Sequence, residues 1–124
     1  MRARPDVLFV AVTAPPRAEP RPQGLMDRLR AMFRRGPVSA DYAHDLHAWM
    51  ADRREGWLKD YDLPNVAVFD YHAVLTDGRR AKWSAYASGG GSDSHPSREG
   101  NARAAAAFVP FLDAAVAGLR AGGR

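Results

Sequence analysis

The sequence predicts an α/β fold with parallel strands. Residues 7–12 and 66–69 are continuous apolar runs rich in β-branched side chains, which is typical of strands buried on both faces of a parallel sheet. Helical patterns follow both runs, and this alternation of strand and helix builds a sheet through right-handed crossovers. Ligands of such sheets bind outside the carboxyl ends of the strands, so we expect a site where the two runs end.

The segment after the first strand is rich in proline and arginine. Residues 14–24 carry several prolines and predict an irregular loop. Residues 25–35 have apolar side chains at helical spacing, with arginines on the other side, and Gly36-Pro37 ends the pattern. We interpret residues 14–38 as a loop and helix inserted into the domain.

The second helix is predicted to begin at Ser39 or Asp41 and to end near Lys59. Apolar residues at i, i+4, i+7 and i+8 define the face that we expect to pack on the sheet. This face contains Tyr42, Leu46, Trp49 and Met50, and it is extended by Trp57 and Leu58.

The last helix follows a Ser/Gly loop at residues 88–92 and is predicted to begin at Ser97 or Arg98. Its apolar stripe runs through Phe108 and Phe111, and Pro110 predicts a kink. Gly122-Gly123 ends the helix.

Composition excludes several classes of protein. With no cysteine, the chain forms neither disulfides nor thiolate metal sites. We find no apolar run as long as a membrane span and no signal-peptide core, so we expect no membrane span and a cytoplasmic location.

The positive charge lies in one segment. Residues 1–40 hold eight arginines against three acidic residues, an excess of +5, whereas the net charge of the whole chain is +4. The alternative for the cluster at Arg28, Arg30, Arg34 and Arg35 is contact with phosphates of nucleic acid or lipid. The cluster lacks interleaved aromatic residues and any known binding motif. We therefore predict a solvated helix face there, and no nucleic-acid partner.

His95 is the strongest candidate for chemistry. It stands at the entrance to the last helix, where Pro96 restricts the backbone and Ser97 is suited to cap the helix. Asp93 lies two residues before it and is expected to orient the ring and favour its charged form. The functional interpretation is a general base. The alternative is a polar residue that only precedes a helix.

The segments around His95 resemble the carboxyl-terminal part of SGNH/GDSL-type serine hydrolases. The similarity is carried by Asn-Val-Ala-Val-Phe-Asp at 65–70, Val-Leu-Thr-Asp at 74–77, Tyr-Ala-Ser at 86–88, and His-Pro-Ser-x-x-Gly-Asn at 95–101, which leads into an Ala-rich helix with Phe-Val-Pro at 108–110. The resemblance implies a flavodoxin-like three-layer α/β/α fold. It also implies hydrolysis of an acyl or carbohydrate ester, with His95 as base for a serine and no metal or organic cofactor.

The sequence departs from this family in two respects. The family's orienting aspartate stands three residues before the histidine, where this chain has Ser92, so either Asp93 or Asp70 is left for that task. For Asp70, a capping role is the favoured alternative. The Gly-Asp-Ser nucleophile motif and the Gly-x-Asn-Asp oxyanion motif are absent, and Ser92 and Ser94 are too close in sequence to His95 for a dyad.

We therefore interpret residues 1–124 as a single incomplete domain of this type, which opens shortly after the oxyanion motif. The alternative is a catalytically inert α/β binding or assembly module. Two strands alone leave sheet edges open, so self-association through them is expected.

His44 and His47 stand three residues apart on the second helix, near Asp41 and Asp45. This spacing would allow the two histidines to bind one metal ion together. We favour an exposed polar helix face and predict no metal site.

Overall fold

The chain folds into helices and strands around a small parallel sheet, which confirms the α/β class. The computed structural model describes residues 1–19, 24–33, 39–78 and 83–122. Its elements, in chain order, are β1 (Phe9–Val12), α1 (Leu25–Phe33), α2 (Ser39–Ala51), β2 (Val66–Phe69), α3 (Tyr71–Thr76), β3 (Ala87–Ser88), a 3₁₀ turn (Gly89–Gly91), β4 (Asp93–Pro96) and α4 (Arg98–Gly122).

Strands β1 and β2 pair in parallel, with Phe9 opposite Val66 and Val12 opposite Phe69. Asn65 lies at the start of this strand pair with its side chain completely buried, and both its amide nitrogen and its amide oxygen are hydrogen-bonded. Its amide nitrogen donates to the carbonyl oxygens of Met1 and Arg4, and its amide oxygen accepts from the Tyr61 hydroxyl. The amino-terminal segment is thereby held beside the entrance to β2.

Helix α4 packs on one face of the sheet through aromatic side chains. The ring of Phe69 lies 5.0 Å from that of Phe108 and 5.2 Å from that of Phe111, measured between centroids. Such tilted and edge-on pairs stabilise a core beyond the area that they bury. Leu75, on α3, is also completely buried.

The outer edge of β1 is unpaired within the part of the chain that the structure describes. Backbone N–H groups of Phe9 and Thr13 donate to β2, so those of Val10 and Val12 point the other way, because successive residues of a strand alternate. Val12 is 52% exposed. The expectation that this strand is buried on both faces is wrong, because its first three residues are only partly buried and Val12 is exposed.

Helix α2 differs from its prediction in length and in orientation. It ends at Ala51, because the Asp52 carboxylate accepts the backbone N–H groups of Arg54 and Glu55 and starts a new turn. Trp57 and Leu58 therefore lie in turns. The buried residues of α2 are Ala40 and His47, whereas the predicted core stripe is largely exposed at Tyr42, Leu46 and Trp49.

Helix α3 was not predicted from the sequence, and the hairpin β3–β4 is built around the predicted Ser/Gly loop. Asp70 caps α3 by accepting from the Ala73 N–H, and Asp77 ends it in a left-handed conformation with φ of 54°. Strands β3 and β4 pair antiparallel across the glycine turn, where positive φ angles favour glycine. His95 consequently lies on a strand and not in a loop.

The start of α4 and the end of α1 lie at or near the positions predicted from the sequence. Helix α4 begins at Arg98 as predicted, and the Ser97 hydroxyl accepts from the Gly100 N–H in the capping position. Helix α1 ends at Phe33, and Arg34 and Arg35 lie outside the described residues.

Among the described helices, α4 alone is long and apolar enough to cross a bilayer, judged by length and composition only. Helices in the cores of soluble proteins meet the same criterion. The absence of a membrane span therefore stays a prediction.

Candidate functional site

The carboxyl ends of β1 and β2 meet through a buried threonine. The Thr13 hydroxyl donates to Asp70 Oδ1 at 3.1 Å and accepts from the backbone N–H of His72 at 2.9 Å. Asp70 Oδ1 also accepts from the Ala73 N–H at 2.9 Å. Of the two interpretations of Asp70, the structure shows the cap, because its hydrogen bonds go to Thr13 and α3.

The loop after β1 continues from this point to the histidine strand. The Arg17 carbonyl oxygen accepts from the Ser84 N–H at 2.9 Å, and the Ala18 N–H donates to Ser94 Oγ at 3.0 Å. Ser94 directly precedes His95 on β4. The predicted site-forming edge is thus assembled: the loop from β1 lies beside the strand that carries the candidate base.

Asp93 and His95 form a close pair. Asp93 Oδ1 lies 2.6 Å from His95 Nδ1, and the same oxygen accepts the His95 backbone N–H at 3.0 Å. These hydrogen bonds, the backbone one first, hold the pKa of the Asp93 carboxyl below its usual range. The sequence left open whether an aspartate two residues away reaches the ring. It does so because Asp93 and His95 both lie on the extended strand β4, where residues two apart point to the same face.

The pair leaves the outer nitrogen of the imidazole available. With Nδ1 donating to the carboxylate, Nε2 carries the lone pair, and the side chain of His95 is 87% exposed. An oriented imidazole with an open Nε2 is equipped to take a proton from a hydroxyl that approaches from outside.

Both serines beside His95 form hydrogen bonds to other parts of the described chain. The Ser92 hydroxyl donates to the Gly89 carbonyl oxygen at 2.7 Å, and Ser94 Oγ accepts from Ala18. Both hydroxyls thus have structural tasks in the hairpin and in the β1 loop. That neither serine forms a dyad with His95 stays a prediction.

A second group of polar residues lies in a cavity near Thr13. His47 of α2 and His72 of α3 are only 8% and 2% exposed, and their ring centroids lie 4.6 Å apart. His47 Nδ1 and His72 Nε2 are buried and make no hydrogen bond to the described residues. The cavity, about 210 Å³, is lined by these rings together with Ala14, Pro15, Pro16, Arg17, Ser39, Ala40, Ala43 and Trp83.

Burial favours the neutral form of both imidazole rings. Burial is the largest cause that lowers the pKa of His47 and of His72, and the neighbouring imidazoles lower it further. Asp70 acts in the opposite direction on both. A charged imidazolium would be costly here because its desolvation is not offset by a direct partner.

The prediction of an exposed polar face is wrong for His47. The face of α2 that carries Ala40 and His47 packs inward, while His44 is partly exposed with its Nδ1 3.4 Å from Asp45 Oδ1. No three His, Cys, Asp or Glu side chains group as metal ligands in the ranges that the structure describes. His72 was missed from the sequence, although its position two residues after a strand-ending Asp70 placed it at the site edge.

We expect the histidine pair to make the fold less stable in mild acid. Below the unfolded value near 6.5, the unfolded chain takes up protons at His47 and His72 while the folded chain does not. The free energy of unfolding should therefore fall as the pH drops from 7.5 to 5.5. Urea titrations across this range measure the fall.

The control for this prediction is a pair of variants on the same elements. The double variant His47→Leu with His72→Leu should flatten the pH dependence, whereas His44→Leu on the partly exposed side of α2 should retain it. Equal pH slopes in the wild type and the double variant would contradict the assignment.

Comparison with known proteins adds no relative. No protein-family model matches the chain, and no curated protein or solved structure is significantly similar to it.

Proposed function

We propose that this chain carries the acid–base half of an ester-hydrolysing site of the SGNH/GDSL serine hydrolase type. The observation that supports the proposal is the Asp93–His95 pair, which has a 2.6 Å contact at Nδ1 and an open Nε2. It lies beside the loop that leaves the carboxyl end of β1, where α/β enzymes place their chemistry.

In this proposal His95 Nε2 takes the proton of a serine hydroxyl as the serine oxygen attacks the ester carbonyl carbon. The proton then passes from Nε2 to the leaving alcohol, and an acyl-serine remains. A water molecule, deprotonated by the same nitrogen, attacks the acyl-serine and releases the acid and the free serine. Asp93 holds the ring in the required tautomer and stabilises the transient imidazolium. The substrate class is an acyl or carbohydrate ester, and the residues call for no metal or organic cofactor.

The serine and the oxyanion donors are supplied, in this proposal, by polypeptide that completes the sheet at the outer edge of β1. Two features of the surface support this. The outward backbone groups of Val10 and Val12 have no strand beside them in the described chain. An apolar groove of about 270 Å³ also opens next to that edge, lined by Val12, Phe69, Tyr71, Ala104, Ala105 and Phe108. Added strands and a covering helix there complete the three-layer, flavodoxin-like arrangement.

The isolated chain should hydrolyse p-nitrophenyl acetate no faster than an equal concentration of free imidazole. A base without a positioned nucleophile and oxyanion donors lacks the covalent route and the main electrostatic stabilisation of the transition state. The measurement is the initial rate at pH 7.5 for the wild type and for His95→Ala. A wild-type rate well above that of imidazole, lost in His95→Ala, would contradict the proposal that this chain supplies the base but not the nucleophile.

The decisive experiment supplies the serine and the oxyanion donors that the proposal assigns to another segment of polypeptide. An upstream segment with a strand, a Gly-Asp-Ser motif and an oxyanion asparagine is fused to Met1. We expect the fusion to turn over p-nitrophenyl esters and to be inactivated by a fluorophosphonate at the supplied serine. A folded fusion, judged by circular dichroism and cooperative unfolding, that neither turns over nor reacts would refute the proposal.

A second candidate is an inert assembly module, and the open edge of β1 is the observation that favours it. Analytical ultracentrifugation of the wild type and Val10→Pro separates the two candidates. The outward N–H of Val10 takes no part in the β1–β2 pairing, so proline there blocks edge pairing and spares the sheet. Dissociation of a wild-type oligomer by this variant, together with an inactive fusion, identifies the assembly role.

A further inference from the structure

Helix α1 presents an apolar surface that the described chain leaves uncovered. Every side chain of α1 that the structure describes is exposed. The large apolar ones are Leu25 (75% exposed), Met26 (62%), Leu29 (41%), Met32 (79%) and Phe33 (78%). Five such residues on one short helix are a contiguous apolar patch, which marks an interaction surface.

The arginines of α1 are placed on the borders of that apolar surface. At 3.6 residues per turn, the five apolar side chains occupy an arc of about 120°. Arg28 lies on one border of the arc and Arg30 on the other. Asp27 lies on the far side, with its Oδ1 3.8 Å from Arg30 Nη1 in an exposed ion pair. Long arginine side chains at such borders keep their aliphatic stems along apolar surface while the guanidinium reaches the water layer.

We propose that α1 binds the surface of an anionic phospholipid bilayer, lying in the plane of the interface with its apolar arc among the acyl chains. Arg28 and Arg30 then contact lipid phosphates at the level of the headgroups. This is the arrangement of interfacial amphipathic helices, which combine buried apolar area with attraction to anionic lipid. The inference does not depend on the proposed hydrolase function.

Charge decides between a bilayer and other occupants of this surface. Residues 1–40 carry an excess of +5, and Arg34 and Arg35 follow α1 directly in the sequence. A second copy of the chain would bring two basic segments together, which Coulomb repulsion disfavours. An anionic bilayer instead satisfies the charges and the apolar arc together. Duplex DNA offers phosphates but leaves five apolar side chains in water.

Vesicle co-sedimentation of the full chain tests the proposal. We expect binding to phosphatidylcholine vesicles that contain 30% phosphatidylglycerol and little binding to pure phosphatidylcholine. Raising NaCl from 50 to 500 mM should weaken the binding severalfold, because salt screens the phosphate contacts. A further signature is protection of α1 amides from hydrogen exchange on the anionic vesicles.

Variants at exposed positions of α1 separate the contribution of the apolar side chains to binding from that of the arginines, and they leave the core unchanged. Met32→Ser with Phe33→Ser should weaken binding at least about tenfold. Arg28→Gln with Arg30→Gln should weaken it about fivefold for each arginine. The matched control is Val109→Ser, an exposed apolar position on α4 that is 59% accessible. It should leave binding unchanged, and circular dichroism checks that all variants fold.

Three outcomes would overturn the proposal. The first is equal binding to both vesicle types, or none to either. The second is loss of binding in Val109→Ser but not in the α1 variants, which would transfer the contact to α4. The third is an oligomer or a DNA complex that the α1 variants abolish while anionic vesicles capture no wild-type chain.

Discussion

Replacing His95 by alanine in the fusion proposed above should lower kcat/KM for ester hydrolysis by about two to four orders of magnitude. General-base catalysis by a positioned side chain contributes about this factor, and alanine leaves no group to take the serine proton. The effect should fall mainly on kcat, because the exposed imidazole belongs to the proton transfer and not to the walls that hold the ester. Steady-state kinetics with p-nitrophenyl butyrate measure both constants.

Two further variants test whether the loss is specific. Asp93→Ala should lower kcat less than His95→Ala does, since Asp93 acts only through the ring, and an imidazole without it still populates, in part, the tautomer with its lone pair on Nε2. His44→Ala, partly exposed and paired with Asp45, should be nearly silent. His47→Ala is unsuitable as a silent control, because the ring is buried against His72. An active fusion in which His95→Ala leaves the rate unchanged would show that His95 is not the general base.

Replacing Gly100 by alanine should destabilise the fold by about 1–3 kcal/mol, the usual cost of overpacking. A Cβ atom at Gly100 would lie 2.8 Å from Tyr86 Cβ, 3.3 Å from Pro96 Cβ and 3.3 Å from Leu75 Cδ2. The first two atoms are bound directly to backbone, so they cannot give way by a rotamer change. The first turn of α4 would have to move away from β4, and the strand that carries His95 would lose its support.

Gly118, on the same helix, is the matched control. A Cβ there meets nothing within 4 Å. Gly118→Ala should therefore stabilise the protein by about 0.5–1 kcal/mol, because alanine loses less backbone entropy in a helix than glycine does. Urea unfolding of the two variants measures the opposite signs. Equal effects of the two substitutions would show that the contact of Gly100 with Tyr86 and Pro96 does not constrain α4.

Local chemistry is sufficient to predict several parts of this protein. The apolar runs placed β1 and β2, since a short continuous run rich in β-branched side chains is typical of a strand. Ser97 placed the start of α4, because capping needs only the adjacent backbone. The Asp93–His95 pair belongs to this class only in part. The residues indicated a carboxylate near the ring, but they left open whether Asp93 reaches it, and the structure decides this by placing both residues on β4 with Asp93 Oδ1 2.6 Å from His95 Nδ1.

The sequence could not show which surfaces are covered. Tyr42, Leu46 and Trp49 form as good a stripe as any core helix, yet α2 turns Ala40 and His47 inward. The choice of face depends on what lies opposite, and α3 presents the small cavity and the ring of His72. Thr13 and Asp70, 57 residues apart, meet only because β1 and β2 pair in parallel. These contacts join distant parts of the chain, and their free energy exists only in the assembled packing, so only the tertiary structure decides them.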